Sequence, residues 1–249
     1  MERSTFKKEY EVQYYEIDFK GRLLITSLMN YFGDIATKHS EVIGGGLNYL
    51  KEKEIAWVLY KWNIHINKYP YYGEKIIIKT KACSFKKFYA YRTFEVFNKN
   101  GDIIAYADSV WILIDINKRK ILRITEDMYK IYGVSEKNKK WLSVKKIRLP
   151  EKFSIQKSFQ VRYSDIDTNK HANNVKYVDW IIETIPLDIV LHYSIKSLNI
   201  TYEKEALYGE SITIYTELKK QGEGYISVHK IVDKEGKKLS LIEAILENK

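Results

Sequence analysis

Polar and apolar residues alternate along most of this chain, and the alternation predicts β-strands with one buried face. Four such runs occur in each half of the sequence. They read WNIHI, EKIIIKT, YAYRTFEVF and DSVWILID in the first half, and SLNITY, ESITIYT, YISVHKIV and KLSLIEAIL in the second. The turns KNG and KEG, with glycine at the left-handed position, each join two of these runs as a hairpin. An antiparallel sheet is therefore predicted in each half.

Each half opens with an additional alternating strand, a polar turn and one helical pattern. The opening strands are EYEVQYYEID and SFQVRYSDID. The apolar faces of the two predicted helices are formed by Leu28, Phe32, Ile35 and His39, and by Val175, Val178, Ile182 and Ile185. Thr26 or Ser27 is the predicted N-cap of the first helix, which the glycines at 44–46 end. Pro186 ends the second helix.

Four segments recur in the same order in both halves, which indicates a duplicated module. YEVQYYEID (10–18) matches FQVRYSDID (159–167) at an offset of 149, and YGEKIIIKT (72–80) matches YGESITIYT (208–216) at an offset of 136. The stretch GGGLNYLKEKE (44–54) can supply the longer connection in the first copy. One helix followed by antiparallel strands in each copy predicts an α+β fold.

The duplication also predicts the domain boundaries. We expect a first domain over 1–135, a basic linker over 136–152 and a second domain over 153–249. The linker is less periodic than the sequence on either side of it.

Composition narrows the class of protein. The single cysteine, Cys83, excludes an internal disulfide framework and a cysteine-rich metal site, and a half-buried thiol is expected there. No secretory signal and no membrane-spanning apolar run is visible, so a cytoplasmic protein is expected. The net charge of +10 favours a polyanionic partner. Lysine and arginine are densest at 118–120 and 137–148, but no nucleic-acid-binding motif accompanies them.

The segment DIDTNKHANN (165–174) concentrates hydrogen-bonding side chains directly before the second helix. An EF-hand-like calcium site is excluded because Lys170 and Lys176 replace the glycine and the bidentate glutamate that such a loop requires. A zinc site is excluded because no second histidine or cysteine lies at ligand spacing. A Ser-His-Asp triad would need a nucleophile elbow, which is absent.

Two interpretations of this segment remain. Asp167, Asn169 and His171 alternate, so on an extended segment their side chains face one cavity, beside helix N-terminal amides that can stabilise an oxyanion. Alternatively the segment is a capping cluster, with Asn173 or Asn174 as N-cap and the aspartate and histidine bracing the turn.

Comparison of the two copies favours chemistry in the second. The first copy has Asp18-Phe19-Lys20-Gly21-Arg22 (18–22) where the second has Asp167-Thr168-Asn169-Lys170-His171 (167–171), so the amide and the imidazole are absent there. Glu205 likewise aligns with Tyr69, although surface charge is an alternative role for this carboxylate.

The segment 164–186 closely resembles the pattern D-x-N-x-H-x-N-N-x-x-Y-x-x-W-x-x-E-x-x-P of fatty acyl-[acyl-carrier-protein] thioesterases of plant plastids and bacteria. The matching residues are Asp167, Asn169, His171, Asn173, Asn174, Tyr177, Trp180, Glu183 and Pro186. The stretch YEKEALYGE (202–210) is similar to the Y-x-x-E-C segment of that family and places Glu205 at its glutamate.

This resemblance implies a double hotdog, in which two curved antiparallel sheets each wrap around a central helix. It implies hydrolysis of acyl-ACP to free fatty acid in lipid metabolism and fatty acid biosynthesis, with no cofactor and no metal. The catalytic residues that it implies are Asp167, Asn169, His171 and Glu205. The family cysteine is replaced by Ala206, so a Cys–His mechanism is not available here unless Cys83 serves.

The resemblance suggests a mechanism and a partner. Glu205, with His171, would activate a water, and His171 would protonate the departing thiolate. A carbonyl oxygen would face backbone amides near Asn174 or Val175, while direct attack by Asp167 through an anhydride is an open alternative. The first domain would hold the acyl chain and be catalytically silent. The expected partner is acidic acyl carrier protein, with neither nucleic acid nor integral membrane contact, and a homodimer is possible.

Three rival functions remain open at this point: an acyl-CoA thioesterase on the same fold, a hydratase or dehydratase on the same fold, and a non-catalytic binder of acyl-ACP or nucleic acid. The replacement of the family cysteine by Ala206 and the basic charge motivate the last of these.

Overall fold

The chain forms two compact units in the computed structural model, which describes residues 3–135 and 146–248. Unit 1 contains the described residues up to 135 except 61–63, and unit 2 contains 61–63 and the described residues from 146 onward. Residues 136–145, which belong to the predicted basic linker and its lysine-rich patch, lie outside the described residues.

Unit 1 is an antiparallel sheet with one long helix. Its strands are β1 (Thr5–Glu11), β2 (Ile55–Ile66), β3 (Lys75–Lys86), β4 (Tyr89–Phe97), β5 (Ile103–Asp115) and β6 (Lys120–Leu122). The order across the sheet is β1-β3-β4-β5-β2, and β6 pairs with β5. The helices are α1 (Ile25–Val42), α2 (Leu47–Glu52) and α3 (Glu126–Tyr132), and a short 3₁₀ turn covers Tyr14–Glu16.

Unit 2 repeats this plan with five strands. They are β7 (Ile155–Gln160), β8 (Tyr193–Tyr202), β9 (Ser211–Gln221), β10 (Gly224–Asp233) and β11 (Lys238–Asn248), in the order β8-β11-β10-β9-β7. Its helices are α4 (Lys176–Ile182) and α5 (Leu187–His192), and a 3₁₀ turn covers Tyr163–Asp165.

All eight strands predicted from alternation are present, and most extend further than predicted. The hairpins at KNG and KEG are also present, with Gly101 at φ +86° and Gly236 at φ +78°. The two opening strands were predicted too long. In each copy the strand gives way to a 3₁₀ turn, because Glu16 accepts the Gln13 amide and Asp165 accepts the Arg162 amide, which closes a capping box.

The helix termini differ from the predictions. Thr26 and Ser27 are buried inside the first turn of α1, which begins after Leu24 without a side-chain cap. The predicted stop is confirmed, because Gly44 follows α1 in a left-handed conformation. α4 begins after Val175 and ends at Ile182, so it does not reach Ile185.

The helix of each unit packs its apolar face against the sheet. In unit 1, Phe32 of α1 lies 4.8 Å from Phe94 between ring centroids, and both side chains are buried. In unit 2, Val178 and Ile181 of α4 are fully buried, as is Ile214 of β9. Burial of such side chains contributes about 1.5–3 kcal/mol each to folding. The α+β prediction is thus confirmed for both units.

Candidate active site

A tight turn before α4 carries three of the four predicted site residues. The amide of Asp167 donates to the carbonyl oxygen of His171 at 2.8 Å, and the amide of Lys170 donates to the carbonyl oxygen of Asp167 at 3.0 Å. One carboxylate oxygen of Asp167 accepts the amide of Asn169 at 2.7 Å. This carboxylate-to-backbone bond is a common way for aspartate to close a turn.

The turn replaces the extended segment that alternation predicted for these residues. Lys170 lies in the left-handed region at φ +66°, so the side chains of Asp167, Asn169 and His171 do not follow one another along a strand. Asn169 is exposed at the tip of the turn. The prediction that alternation aligns these three side chains was therefore wrong, because the aspartate closes the turn instead of extending the strand.

Two of the predicted residues come together across two segments of the chain. Nε2 of His171 lies 3.1 Å from Oε2 of Glu205, and the two side chains are 20% and 34% exposed. A bridge between His171 and Leu207, with a 2.8 Å bond from the Ala172 amide to the Ala206 carbonyl, holds the two segments side by side. The pair is therefore fixed by backbone and reachable from solvent.

The side chains of the other two predicted residues, Asp167 and Asn169, are not part of this ion pair, although the Asp167 amide bonds to the His171 carbonyl. Asp167 uses a carboxylate oxygen for the turn, but its charge reaches the site, because it raises the pKa of Tyr177 together with Glu205 and Glu210. Burial is the larger cause of that raised pKa. Asn169 bonds to the Asp167 carboxylate through its backbone amide, and its side chain is exposed.

The start of α4 holds the amides that were expected to face a carbonyl oxygen. The amide of Val175 already donates to Oδ1 of Asn173 at 2.9 Å, so this amide is not available to a substrate. Asn173 therefore braces the turn before α4, but the N-cap residue is Val175, so the prediction of Asn173 or Asn174 as N-cap was wrong. The amide of Asn174 has no acceptor among the residues that the structure describes, and its carbonyl oxygen accepts the Tyr202 hydroxyl at 2.9 Å.

One contact at the site was not predicted from the sequence. The hydroxyl oxygen of Tyr177 accepts the amide of Ala206 at 3.0 Å, one residue after Glu205. The repeat contained a signal for it. At the aligned positions of the first copy, the Leu28 side chain cannot accept this bond and Pro70 has no amide hydrogen to donate.

Unit 1 builds the same turn around different side chains. The Asp18 amide donates to the Arg22 carbonyl at 2.7 Å, and Asp18 Oδ1 accepts the Lys20 amide at 2.8 Å. Arg22 then takes the place of His171, binding Asp18 at 2.7 Å and lying 5.6 Å over the ring of Tyr69. The alignment of Tyr69 with Glu205 is therefore also a structural correspondence.

Other candidate features do not add to the site. A cavity of about 440 Å³ in unit 2 lies between β7 and the segment 182–190, and none of the four predicted residues lines it.

Cys83 is buried, more deeply than predicted, and its Sγ contacts the Lys81 carbonyl at 3.3 Å. Within residues 3–135 and 146–248, no three His, Cys, Asp or Glu side chains group as metal ligands. None of the helices in these ranges has the length and apolarity to cross a bilayer.

The sequence matches two domain families that together cover most of the chain. The acyl-ACP thioesterase N-terminal domain matches residues 3–132, and the acyl-ACP thioesterase C-terminal domain matches residues 149–248. A chloroplastic acyl-[acyl-carrier-protein] hydrolase of Cuphea viscosissima is 26% identical over 238 residues, covering 89% of this chain and 57% of the relative. A chloroplastic oleoyl-acyl carrier protein thioesterase of Arabidopsis thaliana is 24% identical over 219 residues, covering 81% of this chain and 59% of the relative. The chain thus spans less than two thirds of the length of these relatives.

Solved structures share the fold over nearly the whole chain. An acyl-ACP thioesterase from Bacteroides thetaiotaomicron superposes with a TM-score of 0.83 at 23% identity, covering 98% of both chains. The 12:0-ACP thioesterase from Umbellularia californica superposes with a TM-score of 0.85 at 20% identity, covering 98% of this chain and 94% of that one. The prediction of a double hotdog fold is confirmed by these similarities.

Proposed function

The chain belongs to the acyl-ACP thioesterase family, and we propose from this premise that it hydrolyses the thioester of fatty acyl-ACP to a free fatty acid. The 3.1 Å contact between His171 and Glu205 carries the proposal. An imidazole and a carboxylate at this distance can share and move a proton at neutral pH. Their partial exposure makes both side chains accessible to water.

In the proposed reaction, Glu205 takes a proton from water as the water oxygen attacks the thioester carbonyl carbon. The carbon–sulfur bond then breaks, protonated His171 gives its proton to the departing thiolate, and the proton on Glu205 passes to His171 across their 3.1 Å contact, so that water and thioester yield acid and thiol. The Asn174 amide is the proposed donor to the developing oxyanion, because the Val175 amide is occupied by Asn173. Asn169 is proposed to hold the water or the carbonyl, and Asp167 to fix the turn that carries His171.

The absence of the family cysteine agrees with this mechanism. Ala206 is fully buried, with its amide bound to Tyr177 and its carbonyl bound to Ala172. A side chain at this position is enclosed in unit 2, so a nucleophile there would be shielded from solvent. Attack by water through Glu205 is therefore favoured over a cysteine mechanism.

The proposed partner is acyl carrier protein, and the net charge of +10 suits docking of an acidic carrier. If docking is electrostatic, added salt should raise KM for acyl-ACP much more than for a small acyl thioester, because salt screens exposed charges. The small thioester is the control for salt effects on the chemistry itself. Equal salt sensitivity of the two substrates would count against electrostatic docking.

Thiol release from a panel of acyl-ACPs, with acyl-CoAs of equal chain length as comparison, tests the function directly. We expect cleavage of acyl-ACP with a higher kcat/KM than for the matched acyl-CoA. Better cleavage of acyl-CoA would indicate a different carrier, and absence of thiol release from both would reject hydrolysis. The acyl-chain cavity in the first domain and a cytoplasmic location stay predictions.

A further inference from the structure

The hydroxyl of Tyr177 ties α4 to the segment that carries Glu205. Tyr177 is 2% exposed, and its oxygen accepts the amide of Ala206 at 3.0 Å. Its ring packs edge-on against Tyr202 at 5.4 Å and lies 5.1 Å from the ring of Trp180. The tyrosine is therefore held on its sides by aromatic rings and at its tip by the backbone next to Glu205.

The bond has a clear donor and acceptor. A backbone N–H can only donate, so the Tyr177 oxygen is the acceptor. Burial raises the pKa of Tyr177, the bond from the Ala206 amide lowers it by less, and the charges of Glu205, Glu210 and Asp167 raise it, so the net pKa is raised and the hydroxyl stays neutral at physiological pH. The hydroxyl therefore lies within electrostatic reach of Glu205 and Asp167.

Unit 1 lacks both partners of this bond. Leu28 corresponds to Tyr177 at the offset of 149 that also relates Arg22 to His171. The side chains of Leu28 and Tyr177 are both buried. Pro70 corresponds to Ala206, because its carbonyl accepts the Leu23 amide at 2.8 Å just as the Ala206 carbonyl accepts the Ala172 amide. Proline has no amide hydrogen, and leucine has no acceptor. The fold therefore forms without this bond, and the bond occurs in the unit that has the His171–Glu205 pair.

We propose that Tyr177 is a positioning residue that holds Glu205 against His171 through the amide of Ala206. The inference rests on the proposed thioesterase function and assigns Tyr177 no contact with the substrate. A loss of the bond should let the 205–206 segment shift, and misplacement of a reacting group by about 1 Å can cost about 10²-fold in rate.

A double-mutant cycle tests the inference. Tyr177→Phe keeps the ring and removes the hydroxyl, and we expect kcat to fall by about 10- to 100-fold with KM changed by less than about twofold. In a Glu205→Gln background the same change should cost less than about twofold, because the group that Tyr177 positions is already disabled. Equal losses in both backgrounds would show that Tyr177 acts independently of Glu205 and would overturn the proposal.

The opposite end of the bond gives a second variant. Ala206→Pro removes the donor and installs the residue that unit 1 carries at this place. We expect a fall in kcat similar to that of Tyr177→Phe, and no additional loss when the two are combined, since both remove one bond. Multiplied losses in the double variant would contradict a shared role.

Hydrogen exchange at the Ala206 amide tests the bond without any activity measurement. We expect Tyr177→Phe to speed this exchange by about tenfold, which corresponds to about 1.4 kcal/mol, within the range for loss of one net hydrogen bond. Ser240→Ala is the control, because it removes another buried hydroxyl of unit 2, bound to the Thr201 carbonyl at 2.9 Å. Unchanged Ala206 exchange in Tyr177→Phe would overturn the inference. If the wild type released no thiol but Ala206 exchange still responded, the proposed function would fail and the structural bond would stand.

Discussion

The two units build one turn for two purposes. In both, an aspartate carboxylate accepts the amide two residues later, and the residue before the key side chain is left-handed, Gly21 at φ +76° and Lys170 at φ +66°. Unit 1 then places Arg22 over Tyr69, a cation on an aromatic ring. Unit 2 places His171 against Glu205, the pair proposed to transfer protons.

This comparison distinguishes residues that form the turn in both units from residues that occur at it in unit 2 only. Asp18 and Asp167 do the same structural work, so the presence of Asp167 in the site is explained by the turn before any reaction is considered. His171 and Glu205 have no such explanation, because the fold forms in unit 1 without them. The residues that differ between the units are therefore the better candidates for catalysis.

The largest effect is expected when either member of the His171–Glu205 pair in unit 2 is replaced. His171→Ala and Glu205→Ala should each lower kcat by at least about 10²-fold, the lower end for a positioned acid or base. Thiol release from acyl-ACP measures the loss, and circular dichroism checks that each variant is folded. Near wild-type hydrolysis by either variant would remove that residue from the mechanism.

The matched control lies in unit 1. Tyr69→Phe alters the residue that corresponds to Glu205 and keeps the ring under Arg22. We expect kcat to change by less than about twofold, because this unit has no proton-transferring pair at the turn. A loss as large as that of Glu205→Ala would mean that the turn of unit 1 also takes part.

A second prediction concerns the buried histidine of each unit. Burial, with the nearby Arg92 charge, lowers the pKa of His39 to about 4, and burial lowers the pKa of His229 to about 3. In the unfolded chain both titrate near 6.5. The stability from their neutral forms is full above about pH 6.5 and is lost as the pH falls toward 4 and 3, at about 1.4 kcal/mol per pH unit for each histidine.

Urea unfolding between pH 6.5 and 4.5 measures this slope. His39→Gln and His229→Gln should each flatten it by about one proton, although both variants start less stable because Arg92 or Thr216 loses a partner. A slope that neither variant changes would show that carboxylates alone set the acid sensitivity.

The smallest predicted effect exchanges the left-handed residues. Lys170→Gly should raise the free energy of unfolding by about 0.5–1 kcal/mol, because glycine adopts this φ without strain. Gly21→Ala should lower it by about 1 kcal/mol, since a Cβ at Gly21 meets nothing within 4 Å and only the backbone resists. If both substitutions changed the free energy of unfolding in the same direction, the two turns would not be equivalent.

Much of the fold could be predicted from sequence because strands and their hairpin glycines are local signals. The alternation located eight strands, and Gly101 and Gly236 fixed the hairpins between two pairs of them. The opening strands were overextended because the side chains of Glu16 and Asp165 compete with strand hydrogen bonds by capping their own turns.

The site was predicted only in part, for a similar reason. The repeat identified His171 and Glu205 as residues that differ between the copies, and the structure places them in contact. The direction in which Asn169 and Asp167 point depends on the turn, which alternation could not reveal. The Tyr177 bond joins residues 29 positions apart in sequence, so no local pattern could predict it.

Pro70 determines what is needed to build the same bond in unit 1. Leu28→Tyr alone would bury a hydroxyl, and Pro70, at the position of Ala206, has no amide hydrogen to donate to it. Replacing Pro70 alone would supply an amide, but the buried Leu28 side chain, at the position of Tyr177, has no acceptor. Each single change therefore leaves a polar group without this partner, so a tyrosine clasp in unit 1 requires both changes at once.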